Sequence, residues 1–103
     1  MKSEITDLAS AERVERAVAD IWREVLRVER IGSNDNFFER GGSSLLAMRV
    51  TARILSALDI EIPIRDVFRN PTLRQFTAVV ADRRRQSVQA ALSQVSRERE
   101  RGE

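Results

Sequence analysis

From Ala11 onward, apolar residues return at three- and four-residue steps: Val14, Val18, Ile21 and Val25, with Ala17 and Trp22 beside them. That period predicts an amphipathic helix from Ala11 to Val25, with Ser10 as its N-cap and Glu12 in its first turn. Trp22, at helical spacing, reads as a packing anchor rather than a ligand-stacking ring. The pattern then lapses. Leu26 to Ser43 forms a connection carrying Gly32, Ser33, Asn34, Asp35 and the pair Gly41-Gly42, anchored on the core by Leu26, Val28 and Ile31. Loops of this length are uncommon in small domains and are often functional. Phe37 and Phe38 pin its last stretch.

Helical spacing resumes at Ser44 and lasts to about Leu58. Leu46, Val50, Ile54 and Leu58, with Ala47 and Leu55 alongside, make the expected buried stripe. The opposite face presents Leu45, Met48, Arg49, Ala52 and Arg53, with the two arginines expected as a solvated pair. Pro63 suits the first turn of a short third helix, to which Ile64, Val67 and Phe68 give an apolar side before Asn70-Pro71 stops it. Thr72 and Gln75 stand at capping-box spacing. Leu73, Phe76, Val79 and Val80 then carry a fourth helix to about Arg83. The pattern predicts an all-α four-helix bundle with a short third helix and a long loop between the first two.

The ends differ from the middle. Residues 1–9 lack apolar periodicity and read as a disordered lead-in or upstream linker, residues 10–84 as the domain, and residues 85–103 as a polar, helical or disordered linker. Val88, Leu92 and Val95 make a thin stripe on that linker. A chain with 42% apolar and 33% charged residues can bury a small core under a wet surface. The absence of cysteine excludes disulfides and thiolate metal sites and fits the cytoplasm. No apolar run approaches a membrane span. The basic cluster Arg83-Arg84-Arg85 has no aromatic within six residues, which argues against nucleic-acid binding.

The candidate chemistry lies at Ser44. A serine at a helix N-terminus, just after two glycines, can be a cap, a nucleophile or a site that receives a phosphate-linked group. A serine hydrolase requires a base, usually histidine, and this chain has none. Leu46 stands where the nucleophile elbow requires glycine, and no Lys follows the glycines as a phosphate-binding loop requires. Catalysis by this chain alone is not expected.

The run Asp35-Asn36-Phe37-Phe38-Glu39-Arg40-Gly41-Gly42-Ser43-Ser44-Leu45-Leu46-Ala47 resembles the Asp-x-Phe-Phe-x-Leu-Gly-Gly-x-Ser-Leu core of peptidyl carrier (thiolation) domains of non-ribosomal peptide synthetases. The likeness extends from about Val14 to about Val80. It implies a bundle of the acyl-carrier-protein type, with 4′-phosphopantetheine carried on Ser44 and not on Ser43. One position departs: Arg40 stands where the family usually has Leu, and is expected to point to solvent.

The resemblance implies a carrier and not an enzyme. A phosphopantetheinyl transferase would modify Ser44, with Mg²⁺ held at the transferase. Adenylation, condensation, thioesterase or tailoring domains would exchange aminoacyl or peptidyl cargo with the arm. Leu45, Met48, Arg49, Ala52 and Phe68 are the positions expected to meet partners. From the residues alone two readings stay open: an apolar pair beside a modification site suggests docking, and scattered exposed apolars need no partner. The absence of carboxylates from Ser44 to Leu58 points away from fatty-acid-type carriers. The likeness also implies a monomer. Open alternatives are an acyl carrier of a polyketide pathway and an unmodified helical interaction module in which Ser44 only caps its helix.

Overall fold

The computed structural model describes the backbone of residues 2–101 and the side chains of residues 12–93. Four helices form in chain order: α1 (Lys2–Leu26), α2 (Ser44–Leu58), α3 (Ile64–Arg69) and α4 (Leu73–Arg101). α1 packs against α2 and α4, and the short α3 bridges α2 and α4. Among the described residues no helix is long and apolar enough to cross a membrane.

The core follows the apolar stripes. Val14, Val18, Ile21, Trp22 and Val25 from α1 meet Ala47, Val50 and Ile54 from α2 and Leu73, Phe76 and Val80 from α4. Trp22 is fully buried, edge-on to Phe37 at 5.1 Å between ring centroids and 5.9 Å from Phe76. It is a packing anchor, as expected. Leu26 and Ile31 pack against the core from the start of the long loop.

Helix boundaries differ from the periodicity. α1 begins at Lys2, so residues 2–9 continue the helix and Ser10 lies inside it rather than capping it. α4 runs to Arg101 rather than about Arg83. On α4 the apolar period lapses where the side chains of residues 84–93 are exposed, while a run without Gly or Pro sustains the backbone further. Pro63 occupies the N-cap position of α3, one residue before its first turn. Its φ of −62° and ψ of 142° feed extended chain into the helix.

Two side chains were expected elsewhere. Leu55 is exposed, not part of the buried stripe. Its neighbour Ile54 is buried, and Leu55 shares a face with Leu45, Met48 and Ala52 at steps of three and four. Arg53 is not merely solvated beside Arg49, because its guanidinium pairs with Glu24 of α1. Both partners are more than half exposed, so the pair contributes at most about 1 kcal/mol.

The capping box before α4 forms as its spacing predicts. The Thr72 amide donates to Gln75 Oε1 and the Gln75 amide to Thr72 Oγ1, both at 3.3 Å. Two helices end on non-glycine residues in the left-handed region, Arg27 after α1 and Asp59 after α2, each with φ of 57°.

Candidate functional site

The long loop presents the start of α2, and its sequence explains how. Asp35 folds back locally, its carboxylate accepting the Gly32 amide at 2.7 Å. Asn36 accepts the amides of Phe38 at 2.9 Å and Glu39 at 3.2 Å through its side-chain oxygen, a turn that Asn readily makes. Long-range bonds then fasten the loop to the α3–α4 junction. The Phe37 amide donates to the Pro71 carbonyl at 2.7 Å, and the amides of Leu73 and Arg74 donate to the carbonyls of Asp35 and Ser33. Asn36 and Thr72 form an isolated antiparallel bridge.

The aromatics divide the work. Phe37 is fully buried on Trp22, and Phe38 lies half-buried, stacked on Phe68 at 5.1 Å with the rings 10° apart. The glycines also have separate reasons. Gly41 has φ of +102°, which side-chain-bearing residues rarely adopt. Gly42 is short of space instead: a Cβ there would lie 2.6 Å from the Phe37 carbonyl oxygen and closer still to the Phe37 ring. Arg40 is exposed, as expected, but it is not idle. Its Nη2 donates to the Arg30 carbonyl at 2.8 Å, and Nε lies 3.9 Å from Asp35, so it clasps the two ends of the loop.

The serines part roles at this point. Ser43, in extended backbone with φ of −140°, is the N-cap, and its hydroxyl accepts the Leu46 amide at 3.3 Å. Ser44 is the first helical residue, exposed, and its hydroxyl bonds to none of the described residues. The alternative in which Ser44 only caps α2 is thus overturned, because Ser43 holds that position. The first turn of α2 contains no carboxylate, so nothing there offsets the positive end of the helix dipole. An anion attached to the Ser44 hydroxyl would sit at a site suited to it. None of the described residues assembles a His, Cys, Asp and Glu cluster able to hold a metal ion.

The residues expected to meet partners all lie at the surface. Leu45 is 60% exposed, Met48 56% and Phe68 47%, with Arg49 and Ala52 exposed between them. Sequence reasoning missed Leu55 and Ile64, which extend the same apolar surface. Their spacing from Met48 and Phe68 was the available signal.

A family model described as the phosphopantetheine attachment site matches residues 16–80. The chain belongs to that family. As a phosphopantetheine attachment domain it is 41% identical over 85 residues to the phosphinothricin tripeptide synthetase PhsB of Streptomyces viridochromogenes. That match covers 82% of this chain and only 7% of the synthetase. Among solved structures, the domain resembles a chain of the complex of the phosphopantetheine transferase Sfp with coenzyme A and a peptidyl carrier protein. There the identity is 41% and the TM-score 0.65, covering 68% of this chain and 91% of that one. It also resembles the solution structure of a prototype for the peptidyl carrier domains of modular peptide synthetases. That structure is 43% identical with a TM-score of 0.59, over 66% of this chain and 90% of that one. Both neighbours share the helical fold described above.

Proposed function

We propose that this chain is a peptidyl carrier domain whose Ser44 receives 4′-phosphopantetheine and which then presents aminoacyl or peptidyl cargo to the domains of a non-ribosomal peptide synthetase. The observation that carries this reading is the division of labour between adjacent serines. Ser43 caps the helix, and Ser44 keeps an unengaged, exposed hydroxyl at the positive end of α2. The family match over residues 16–80 and the likeness to a peptide synthetase and to peptidyl carrier structures support the cargo class.

Ser44 Oγ is the acceptor in the modification. Its oxygen forms a bond to the pantetheine-side phosphorus of coenzyme A, and the adenosine bisphosphate leaves with the electrons of the broken P–O bond. The hydroxyl proton passes to the transferase, since none of the described residues accepts a hydrogen bond from the Ser44 hydroxyl. The resulting phosphodiester faces the free amides of the first turn of α2, where its charge is favoured. When bound, the group supplies the thiol that a cysteine-free chain lacks, holding cargo as a thioester. Everything else in the domain positions Ser44 and leaves its surroundings open. Residues 10–84 form the carrier in this proposal. Residues 85–103 tether it to a neighbouring domain, in keeping with the uniform exposure of residues 84–93 on α4.

The test is intact mass after incubation with coenzyme A, Mg²⁺ and a broad-range phosphopantetheinyl transferase. Wild type should gain one phosphopantetheine unit and Ser44→Ala none. Ser43→Ala should still gain it while losing about 1 kcal/mol of stability as the cap is removed. A folded wild type of unchanged mass, or loading that survives in Ser44→Ala, would sink the proposal. Loading of the arm by an adenylation domain would then separate peptide from polyketide use.

A further inference from the structure

The turn that hands the chain to α2 is tied from its solvent side by Arg40. The Arg40 Nη2 donates to the Arg30 carbonyl, ten residues back, at 2.8 Å, while Nε lies 3.9 Å from Oδ2 of Asp35. Asp35 is itself a junction. The same Oδ2 accepts the Gly32 amide at 2.7 Å, and the Asp35 carbonyl accepts the Leu73 amide at 3.2 Å, which fastens it to the start of α4. The guanidinium therefore links Arg30, near the mouth of the loop, to Asp35 and to its own backbone immediately before Gly41-Gly42.

The other bonds of the turn are short in reach. The Arg40 amide donates to the Asn36 carbonyl at 3.0 Å and the Gly41 amide to the Phe38 carbonyl at 3.3 Å, which closes the turn without joining it to Arg30. Phe37 locks the inner side, but Phe38 is only half-buried and Glu39, Arg40 and Gly41 are exposed. Leu, which peptidyl carrier domains usually have in place of Arg40, has no donor for either partner. Lys offers a point charge without the planar fork that lets one guanidinium serve a carbonyl and a carboxylate together. Both side chains of the ion pair are 41% exposed, so the tie is modest. It is of a strength to bias a loop, not to hold a fold.

We infer that Arg40 is a positioning residue for the modification of Ser44: by clasping Arg30 and Asp35 it narrows the range of positions open to the Gly41-Gly42 turn, and so to the Ser44 hydroxyl four residues on. The inference rests on the carrier reading above. Arg40 need touch neither the arm nor the transferase to act in this way. Transfer requires Ser44 Oγ to lie in line with the reacting phosphorus at about 3–3.5 Å, and small misplacements at that distance lower the rate. A looser turn therefore slows the step within the complex. Affinity for the transferase depends on the surface it meets, which a substitution at Arg40 acting through the turn leaves in place.

The experiment follows loading of the full chain by mass spectrometry under single-turnover conditions. Coenzyme A is saturating and a broad-range transferase is in excess at varied concentration, so that the saturated rate reports the transfer step. Arg40→Leu should lower that rate by roughly two- to fivefold, as one exposed tie allows, and leave the half-saturating transferase concentration unchanged. Arg40→Lys should recover part of the loss. Asp35→Asn keeps an acceptor for the Gly32 amide and should cost part of the same rate in wild type, but little once Arg40 is Leu. Amide exchange followed by NMR supplies the second readout. The Gly41 and Gly42 amides should exchange faster in Arg40→Leu, while that of Val50, in the middle of α2, should not. A fall in rate of less than about twofold, or a change confined to half-saturation, would overturn the inference while leaving the carrier reading intact. So would a slower rate without faster exchange at Gly41 and Gly42, or with equal acceleration at Val50. No mass gain in wild type would overturn the carrier reading and, with it, the role of Arg40 in loading.

Discussion

Replacing Gly42 by alanine tests whether the loop before Ser44 is held by packing. The new Cβ would lie 2.6 Å from the Phe37 carbonyl oxygen, against an ordinary heavy-atom separation of about 3.5 Å, and closer still to the ring. Neither group can step aside cheaply. The Phe37 ring is fully buried against Trp22, and its carbonyl accepts the Gly42 amide at 2.9 Å. Relief therefore moves the ring or breaks that bond. The loss belongs at the upper end of overpacking, about 3 kcal/mol, which for a domain of this size lowers Tm by roughly 12–24 °C. Urea and thermal unfolding followed by circular dichroism would measure it. Gly41→Ala provides the contrast: no atom lies within 4 Å, and its loss of about 1–3 kcal/mol comes from φ of +102° alone. In a Phe37→Leu background the Gly42 substitution should become markedly cheaper and the Gly41 substitution should not. A Gly42→Ala protein within about 0.5 kcal/mol of wild type would refute the packing argument. A Gly42→Ala loss unchanged by Phe37→Leu would instead assign the whole clash to the Phe37 carbonyl and none to the ring.

Two further substitutions probe the frame. Arg27→Gly should stabilise the protein by about 0.5–1 kcal/mol and raise Tm by a few degrees. Glycine relieves the left-handed φ of 57° and keeps the Val28 amide donating to the Arg23 carbonyl at 3.1 Å. A lowered Tm would contradict this. Arg83→Ala removes the guanidinium that sits 3.2 Å from Oδ2 of the buried Asp66, an ionic contact whose angle makes no hydrogen bond. Arg83 is 37% exposed and partly screened, so the expected loss in urea unfolding is about 1–2 kcal/mol. Once Asp66 is replaced by Ala, removing Arg83 should matter little, and strict additivity of the two changes would count against the pair.

How much of this was legible in the residues varies with the kind of interaction involved. Val14 through Val25 and Leu73 through Val80 announced their helices because burial imposes a period on sequence. The capping box at Thr72 and Gln75 was readable for the same reason, since spacing alone makes the two bonds. Which of the two serines caps α2 was not. Ser43 and Ser44 are equally good caps, and the choice depends on which takes extended backbone, here set by Gly42 lying against Phe37. The bonds from Phe37, Leu73 and Arg74 that fasten the loop to the α3–α4 junction join residues far apart in the chain, for which local sequence holds no signal. The reach of α4 past Arg83 was missed because residues 84–93 are exposed, so propensity rather than burial sustains them, and a search for apolar periods does not register that.

The site works because rigidity and exposure are separated at one residue. On the inner side, Phe37 is locked on Trp22, Gly42 fits beneath, and Ser43 spends its hydroxyl on the Leu46 amide. These contacts fix where α2 begins. On the outer side, Ser44 and the apolar surface from Leu45 to Phe68 are left uncovered. In the role proposed above the domain's contribution is to offer one hydroxyl, and later one tethered thiol, at a reproducible position. Tethering raises the local concentration of cargo to about the millimolar range, and weak docking then suffices. Strong docking would slow release and transfer to the next partner.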